Sequence, residues 1–544
     1  MASAPRSTLF GAVAAAETHL SMLFFTPDRV LKLLKPVDAG FVSFVDRDAR
    51  LAAALREFEC NQRISPDVYL GTADLIEDGE VVDRLILMRR LPEDRQLHRL
   101  ASEPSFDRRV GESARFIAAF HSSLTPITGP RAEVASADRV RSNWLDNLDT
   151  IRPLVGPVLA AAAFEEVEQL VTDYLAGRHT LFEERIQGGR IVDGHGDLRA
   201  EHIFCLDDGP RVIDCLAFRD DYRAGDVLAD IAFLAMDLHR LVGPEAAAEL
   251  VRSYDEFSNE HHPSSLAHHY VAYRAHVRAK VAAVRFQQGD RDAAAEVETY
   301  HALALEHLRA ARVHLILVGG GAGVGKSTVA EGLARELGAV WLRSDEVRKS
   351  TAGIPVDEHR FEAPGEGIYA PEVTGEVYQQ LLDQAEGLLT RGQSVVLDAT
   401  WAAEGHRTMA RQLAERTSST VTELRCAAPL ALAKERIARR MASLDEPSDA
   451  TPEIAQFLAD RFEAWPDAHT IDTSGSIADS ITAACAVVTE PPDRPERPDV
   501  VTLSGAASMR VESIRFFLSR RRTLQQPRPS RPSVFDPTRD VDRR

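Results

Sequence analysis

The stretch that most constrains the fold of this chain covers residues 312–333 and reads RVHLILVGGGAGVGKSTVAEGL. An apolar, β-branched run leads into glycines and then into helix-forming residues, which predicts a strand, a loop and a helix in that order. The loop fits the pattern G-x-x-x-x-G-K-[ST], with Gly320, Gly325, Lys326 and Ser327 at the fixed positions. The alternative is an ordinary glycine-rich turn before a buried helix. The order of strand, loop and helix favours a phosphate-binding loop.

This loop predicts a binding site for a nucleoside triphosphate. Glycines let backbone N–H groups surround phosphate oxygens, and the helix that begins near Lys326 directs the positive end of its dipole at them. We expect Lys326 to reach the β- and γ-phosphates of ATP and the Ser327 hydroxyl to bind Mg²⁺. The residues predicted to bind the nucleotide here are Gly320, Gly321, Ala322, Gly323, Val324, Gly325, Lys326, Ser327 and Thr328.

Length and charge restrict the class of protein. A chain of 544 residues is too long for one hydrophobic core, and domains of about 100–200 residues predict three or four units. The net charge of -19 disfavours a general nucleic-acid or membrane binder. The five cysteines form no C-x-x-C pair, which indicates a reducing cytoplasm, and no apolar run is long enough to predict a membrane span. We therefore expect a cytoplasmic protein whose partner is a small molecule.

The order of patterns along the chain divides it into two domains and a tail. Residues 1–311 begin with a strand pair, a helix and a second strand pair, over about residues 15–92, and become mostly helical over about residues 105–300. This is the plan of a protein-kinase-like fold with a small and a large lobe. Residues 312–488 alternate strands with helices, which predicts a mostly parallel sheet flanked by helices. Residues 489–544 are rich in Pro and Arg and are expected to be unstructured.

A second phosphate-handling site is predicted in the first domain. Residues 193–206 read DGHGDLRAEHIFCL, and Asp214 follows after a strand. An aspartate on a short loop, here Asp197, can orient or deprotonate an acceptor hydroxyl, and an aspartate at a strand end can hold Mg²⁺ against ATP phosphates. The His-Gly-Asp triplet alone is a weak signal for phosphate transfer, so the prediction also depends on Asp214 and on the strands and helix upstream.

With the strands and helix upstream, this segment resembles the aminoglycoside phosphotransferase family, whose motif is HGDLHxxN followed by a strand and an aspartate. The resemblance covers about residues 15–290. It implies that Asp197 is the catalytic-loop aspartate and Asp214 the metal-binding aspartate. It also implies that Lys32 binds the ATP phosphates with Glu57 as its partner on the helix, and that the connector from Met88 to Leu91 lies beside the adenine.

The sequence departs from the family pattern at two motif positions. Arg199 stands where the motif has its second histidine, and His202 stands where it has a metal-binding asparagine. An imidazole is a poorer Mg²⁺ ligand than an oxygen donor. Arg219 is expected to add a positive charge near the metal, and Lys35 is an alternative to Lys32 as the phosphate lysine. A kinase-shaped domain that no longer transfers phosphate therefore remains an open alternative.

Residues 312–475 resemble the AAA_33-type small-molecule kinases, which include gluconate kinase-like, chloramphenicol phosphotransferase-like and zeta-toxin-like proteins. The resemblance rests on the phosphate loop, on SDEVR and LDAT, and on a later basic helix. It implies that Asp345 faces the acceptor hydroxyl and that Arg348 binds substrate or phosphate, although Asp345 or the serine before it could instead cap a helix. Asp398 would hold Mg²⁺ through water, with a strand-end turn aspartate as the alternative.

The basic helix and the polar loop after it, KERIARRMASLDEPSDAT, suit a mobile lid. Arg436 and Arg440 are its candidate nucleotide-binding residues, and a solvated helix face is the alternative. As a whole, the chain resembles bacterial two-domain proteins described as aminoglycoside phosphotransferase-like plus ATP-binding kinase.

These patterns predict an ATP- and Mg²⁺-dependent phosphotransferase that acts on a hydroxyl group of a small molecule. The C-terminal P-loop domain would be the main nucleotide site, and the N-terminal domain a candidate second phosphotransferase. The alternative is an NTPase switch regulated by a catalytically inactive, kinase-like ligand-binding domain, which His202 and Arg219 favour.

Overall fold

The computed structural model describes residues 14–38, 42–355, 358, 367–443 and 461–489, without the side chains of residues 440–443. All of these residues belong to one compact unit. The predicted tail lies outside them apart from Thr489, and so does the loop of the predicted lid. Among the helices in these ranges, none is long and apolar enough to cross a membrane.

The small lobe is an antiparallel sheet with one helix packed on it. The strands are β1 Ala14–Glu17, β2 Ser21–Phe25, β3 Arg29–Leu34, β4 Tyr69–Glu77 and β5 Glu80–Arg89, and the helix is α1 Arg47–Gln62. The spatial order is β1-β2-β3-β5-β4, and α1 contacts β4 and β5. The predicted strand pairs and helix are confirmed. Strand β1 was not predicted, because its sequence AAAE has no β-branched residue.

The large lobe is mainly helical. Its helices are α2 Phe106–Ser123, α3 Ala137–Ile151, α4 Ala161–Gly177, α5 His179–Gln187, α6 Val227–Leu241, α7 Pro244–Ser258, α8 Ser264–Gln287 and α9 Ala293–Ala310. Its short strands are β6 Ile191–Asp193, β7 Ile203–Leu206, β8 Gly209–Val212 and β9 Ala224–Asp226. Strand β6 pairs with β9, and β7 pairs with β8. These two short pairs hold the loops that contain the predicted aspartates.

The second sheet is parallel and has helices on both faces. Its strands are β10 His314–Gly319, β11 Val340–Arg343, β12 Val395–Asp398, β13 Thr420–Ala427 and β14 His469–Asp472. The helices are α10 Lys326–Leu337, α11 Ser344–Thr351, α12 Pro371–Leu389, α13 Glu404–Arg416, α14 Leu430–Ser443 and α15 Ile477–Thr489. The spatial order is β11-β12-β10-β13-β14. Strand β10 lies between β12 and β13, so the chain order reverses beside it, and ligands bind at the carboxyl ends of strands at such a point.

Seven short 3₁₀ turns complete the described elements, at Glu93–Arg95, Leu97–Leu100, Gly129–Ala135, Arg152–Leu154, Ala200–His202, Asp220–Tyr222 and Gly367–Tyr369.

The two domains share a hydrophobic core. Leu315 and Leu317, on one face of β10, belong to a cluster of buried side chains that continues through the large lobe. The alternate residues Ile316 and Val318 belong to a separate cluster on the other face, as the two-residue period of a strand requires. Side chains of the two domains therefore pack against each other without an intervening linker.

Polar contacts reinforce this interface. The fully buried Arg178 donates to the carbonyl oxygen of Thr417 at 2.7 Å, beyond the end of α13, where a cation is favoured by the helix dipole. The Ser265 hydroxyl donates to the carbonyl oxygen of Gly392 at 2.7 Å. The large lobe therefore positions the second domain through directional hydrogen bonds as well as apolar contacts.

Candidate active sites

A cleft of about 870 Å³ separates the small lobe from the large lobe. It is lined by Lys32 and Glu57 from the small lobe and by Asp197 and Asp214 from the large lobe. The connector 88–91 also lines it, as expected for a segment beside a bound base. The structure thus brings together all the residues that the sequence predicted for the first site, and their roles in binding stay predictions.

Lys32 lies between two carboxylates. Its Nζ is 2.6 Å from Oε1 of Glu57 and 2.9 Å from Oδ1 of Asp214. Lys35 instead contacts Glu17 at 3.0 Å, at the edge of the sheet. Burial alone would lower the pKa of Lys32, but the charges of Asp214 and Glu57 raise it well above its usual value. Of the two candidate lysines, Lys32 is therefore the one that faces the cleft, and it is charged at neutral pH.

Asp214 occupies a strained position next to this lysine. Its φ is 63°, which is uncommon for a residue other than glycine, and its backbone N–H donates to the Tyr69 hydroxyl at 3.1 Å. The positive charge of Lys32 holds the pKa of Asp214 far below its usual range. The side chain of Asp214 remains half exposed to the cleft. The carboxylate is therefore fixed, ionised and accessible to a cation. Backbone strain of this kind is often found at functional sites.

Asp230 holds the loop that carries Asp197. Its carboxylate accepts hydrogen bonds from the backbone N–H groups of His195 at 2.6 Å and Gly196 at 2.9 Å, and from His121 Nε2 at 3.2 Å. Burial alone would raise the pKa of Asp230, but the hydrogen bond and charge of His121 hold it far below its usual value. Asp230 therefore positions the loop and stays ionised.

The two departures from the family motif both contact Asp197. Arg199 Nη2 donates to Oδ2 of Asp197 at 3.0 Å and lies 3.0 Å from His202 Nε2. Arginine can only donate, so this His202 nitrogen accepts, and the other one, Nδ1, carries the hydrogen that it donates to the Asp197 carbonyl oxygen at 2.8 Å. Burial alone would raise the pKa of Asp197, but His202 and Arg199 lower it.

Arg219 was expected to add charge near Asp214, the aspartate predicted to bind metal, but its described contacts are with other residues. Its guanidinium lies 4.5 Å from the centre of the Tyr222 ring and donates to the hydroxyl of Tyr222 at 3.1 Å. Its ion pair is with Asp221 at 3.7 Å. The following turn draws the side chain to the neighbouring aromatic ring, so the predicted extra charge beside Asp214 is not found.

The phosphate loop in the second domain is compact. Strand β10 ends at Gly319 and α10 begins at Lys326, with Gly320 at φ 132° and Gly323 at φ 77°. A Cβ on Gly320 would lie 2.5 Å from the carbonyl oxygen of Cys426, and one on Gly323 would lie 2.5 Å from that of Ala433. Only glycine fits these positions, because both the left-handed conformation and the close backbones exclude a side chain.

Lys326 and Asp398 lie near each other at this loop. Nζ of Lys326 donates to the carbonyl oxygen of Gly321 at 3.1 Å. Asp398 is buried at the end of β12, near the Ser327 hydroxyl and the charge of Lys326. Burial raises the pKa of Asp398, although Lys326 and Ser327 oppose this rise. A buried carboxylate near a serine hydroxyl provides oxygen ligands of the kind that Mg²⁺ prefers, so these residues fit a magnesium site.

Asp345 and Arg348 lie on α11, beside this site. The helix begins at Ser344 and its N-cap is Arg343, so neither Ser344 nor Asp345 caps it, contrary to the alternative that the sequence allowed. The charge of Asp345 acts on Asp398, which places the two carboxylates near each other. Arg348 is buried and donates to the carbonyl oxygen of Ile368 at 2.7 Å. Their predicted roles toward the acceptor stay predictions.

One candidate arginine of the lid contacts the region of the phosphate loop. Arg436, on α14, donates to the carbonyl oxygen of Thr473 at 2.7 Å, and its Nη1 would lie 3.5 Å from a Cβ on Gly325. The side chain of Arg440 lies outside the described residues. Thr473 was not predicted, although its hydroxyl donates to the carbonyl oxygen of Val324 in the loop. Its position directly after β14, at the carboxyl edge of the sheet, was the signal for it.

Two family models match the chain, and each covers one domain. The phosphotransferase enzyme family matches residues 33–269, and the AAA domain of the type AAA_33 matches residues 315–465. Uncharacterized proteins of Mycobacterium tuberculosis and Mycobacterium bovis are each 38% identical over 466 residues, which cover 84% of this chain and 92% of theirs. An alignment of that length includes most of both matched regions.

Solved structures each match part of the chain. A choline/ethanolamine kinase family protein from Mesorhizobium loti covers 54% of this chain and 92% of its own, with 16% identity and a TM-score of 0.35. A gluconokinase from Sinorhizobium meliloti covers 32% of this chain and 91% of its own, with 18% identity and a TM-score of 0.25.

Proposed function

Since this chain belongs, with the mycobacterial proteins, to a family that joins a phosphotransferase domain to an AAA domain, we propose that it is an ATP- and Mg²⁺-dependent phosphotransferase for a hydroxyl group of a small molecule. The two matched families support a phosphotransferase enzyme. The observation that carries the proposal is the loop itself, in which Gly320 and Gly323 admit no side chain and beside which the buried Asp398 lies near Lys326 and Ser327.

In this proposal each residue of the P-loop domain has a defined task. The loop amides and Lys326 hold the β- and γ-phosphates, and Asp345 orients the acceptor hydroxyl for in-line attack. Ser327 and Asp398 would hold Mg²⁺, which neutralises charge on the phosphate oxygens when it is bound. Arg436 approaches the loop from α14, where a cation stabilises the transferring phosphoryl group.

The test is transfer of label from γ-labelled ATP to a metabolite mixture. We expect Lys326→Ala to lower transfer by the P-loop domain about 10²–10³-fold, because a charge that stabilises the transition state is lost. Lys434→Ala removes an exposed lysine of α14 in the same domain and should leave transfer unchanged. Equal nucleotide affinity and equal transfer in wild type and Lys326→Ala would contradict the proposal.

The N-terminal domain supports a second transferase site. The ion pair between Lys32 and Glu57 at 2.6 Å is the arrangement that protein kinases require for transfer. Asp197→Ala should then abolish one labelled product, and Lys326→Ala a different one. A chain in which each substitution removes its own product is bifunctional.

A specific observation favours the alternative, a switch in which the N-terminal domain binds a ligand and regulates an NTPase. Asp197 is already bound to Arg199 at 3.0 Å, so its carboxylate is less available as a base. The switch predicts slow ATP hydrolysis that Lys326→Ala abolishes, no labelled acceptor, and no effect of Asp197→Ala on product formation. Any labelled product that depends on Asp197 excludes it.

A further inference from the structure

A second cavity of about 470 Å³ opens beside the cleft of the N-terminal domain. It lies between the catalytic loop and the ends of α6, α8 and α9. His98, Arg199, Glu201 and Arg278 line both cavities, so the two meet at these residues. Its volume falls in the range of small-molecule sites. A compound bound here lies next to the loop of Asp197, where the resemblance places the reacting hydroxyl.

The acidic side chains of this second cavity already have partners. Both oxygens of Asp237 are bound, one by Arg240 at 3.0 Å and the other by the backbone N–H of Ala200 at 3.0 Å. Both oxygens of Glu296 lie 3.0 Å from Nη1 of Arg285. Glu201 is likewise bound by Nη1 of Arg199, so each carboxylate of this cavity is already paired with an arginine.

Arg278 differs from every other charged group of this cavity. Among the residues that the structure describes, it has no carboxylate or hydrogen-bond partner, and its Nε is buried without one. Its guanidinium lies 5.8 Å from the centre of the Tyr300 ring, as does that of Arg240. Two cations therefore lie near the same ring, and only Arg240 is paired with a carboxylate. Guanidinium groups bind carboxylates and phosphates through paired N–H donors.

We propose that the second cavity binds the acceptor of the N-terminal domain and that this acceptor is a small hydroxyl compound with a carboxylate or phosphate group held by Arg278. This inference rests on the proposed function, because it identifies the substrate class of that domain. The unpaired guanidinium binds the anionic group, and the hydroxyl reaches Asp197 across the shared residues. A polycationic acceptor is disfavoured, because its charges would meet Arg278 and find the carboxylates occupied.

Calorimetric titration of the full chain tests this proposal. The protein is first titrated with Mg-ADP, and at saturation with two anionic probes, glycerol 3-phosphate and D-gluconate, and their neutral counterparts, glycerol and D-sorbitol. We expect at least one anionic probe to bind more tightly than its neutral counterpart. Arg278→Gln should weaken anion binding about tenfold or more, because charged hydrogen bonds are lost. Arg278→Lys, which keeps the charge, should recover part of the affinity.

The matched control is Arg291→Gln, which removes an exposed arginine that lines neither cavity, and it should bind the anions as wild type does. Anions that bind equally to wild type and Arg278→Gln, or no more tightly than the neutral compounds, would overturn the proposal. The proposal would also be overturned if Arg278→Gln weakened the binding of a non-hydrolysable ATP analogue but not of the anionic probes. Arg278 would then bind the γ-phosphate of the nucleotide. Mg-ADP that fails to bind wild type overturns the proposed function instead. Equal melting temperatures of the variants exclude a folding defect.

Discussion

The cleft of the N-terminal domain and the phosphate loop of the second domain hold their charges differently. In the cleft, Lys32 lies within 3 Å of two carboxylates, and Arg199 is bound to Asp197. In the phosphate loop, Lys326 donates to a carbonyl oxygen, and no described carboxylate lies within ion-pair distance of it. The pKa values differ accordingly: that of Asp214 is held far down by Lys32, and that of Asp398 is raised by burial.

This difference separates a site that stabilises its own fold from one that depends on a ligand. Charges that neutralise one another inside the protein contribute to stability without a ligand, and removal of one partner leaves the other uncompensated. Charges that lack a protein partner contribute little to the empty fold and gain most when a polyphosphate and a cation bind. The same substitution should therefore have different consequences in the two sites.

The largest expected difference is between Lys32→Met and Lys326→Met in the absence of nucleotide. Lys32→Met leaves the buried Glu57 beside Asp214 and should lower the free energy of unfolding by about 3 kcal/mol. Lys326→Met loses one hydrogen bond to a carbonyl oxygen and should cost about 1 kcal/mol or less. Urea unfolding and hydrogen exchange of β3 and α1 measure the effect. Lys35→Met is the control for Lys32, and equal losses at Lys32 and Lys326 would remove the distinction.

The second prediction concerns stabilisation by nucleotide. Mg-ADP at a hundredfold excess over its dissociation constant should stabilise the wild type by about 2.7 kcal/mol. Lys326→Met should lose the stabilisation that comes from Mg-ADP bound at the phosphate loop. Any stabilisation by Mg-ADP that remains in this variant comes from binding in the N-terminal cleft. During urea unfolding, the fluorescence of Trp144 in the large lobe and of Trp401 in the second domain should change over the same range of urea concentration, because both belong to the shared core. Separate transitions would show that the domains unfold independently.

Asp398→Asn is expected to raise the free energy of unfolding of the ligand-free protein, by less than the changes described above. Burial raises the pKa of Asp398 in the folded protein, so the folded state binds its proton more tightly than the unfolded chain does. The stability of the ligand-free wild type should therefore fall as the pH rises through that pKa. At pH 7 the asparagine variant should be the more stable protein, and the difference should disappear below the unfolded-chain pKa of about 3.9.

Melting temperatures from pH 4 to pH 8 measure this difference. Mg-ADP should reverse it, because only the wild type has the carboxylate for the metal. Asp467→Asn, at an exposed aspartate of the same domain, is the control. A variant that is less stable than the wild type at pH 7 without ligand would show that the ion pair of Asp398 with Arg343 Nε, at 4.0 Å, outweighs the cost of burying the carboxylate.

The sequence predicted the second sheet more fully than the contacts of the first site. Each strand of the parallel sheet is an apolar run bounded by turn residues, and the loop at its centre has a fixed spacing, so the pattern was sufficient. Lys32 was assigned only through the family resemblance, with Lys35 as the alternative, because the environments of both lysines depend on pairing with β5 and on the distant Asp214. Such contacts join residues far apart in the chain and leave no local pattern.

Two further residues show where the sequence was insufficient. Arg219 was expected near the metal because it follows Asp214, but a side-chain contact with Tyr222 determines its direction. Arg278 carried no signal at all, because a lone arginine in a long helix is usually a solvated residue. Its importance depends on the carboxylates around it being bound elsewhere, which only the packing of α6, α8 and α9 decides.

The smallest expected effect is the change in nucleotide affinity of the N-terminal cleft caused by His202→Asn. His202 Nε2 lies 3.7 Å from Oδ2 of Asp214, and its lone pair is already directed at Arg199. An asparagine offers an amide oxygen, which Mg²⁺ prefers to an imidazole nitrogen. Measured in the Lys326→Met background, Mg²⁺-dependent nucleotide affinity should rise about threefold to tenfold, the effect of roughly 1 kcal/mol. The preference for Mn²⁺ over Mg²⁺ should fall at the same time.

The control for this prediction is His261→Asn, which changes an exposed histidine. An unchanged affinity and an unchanged metal preference would indicate that no metal binds at Asp214, and the regulatory alternative for this domain would then be favoured.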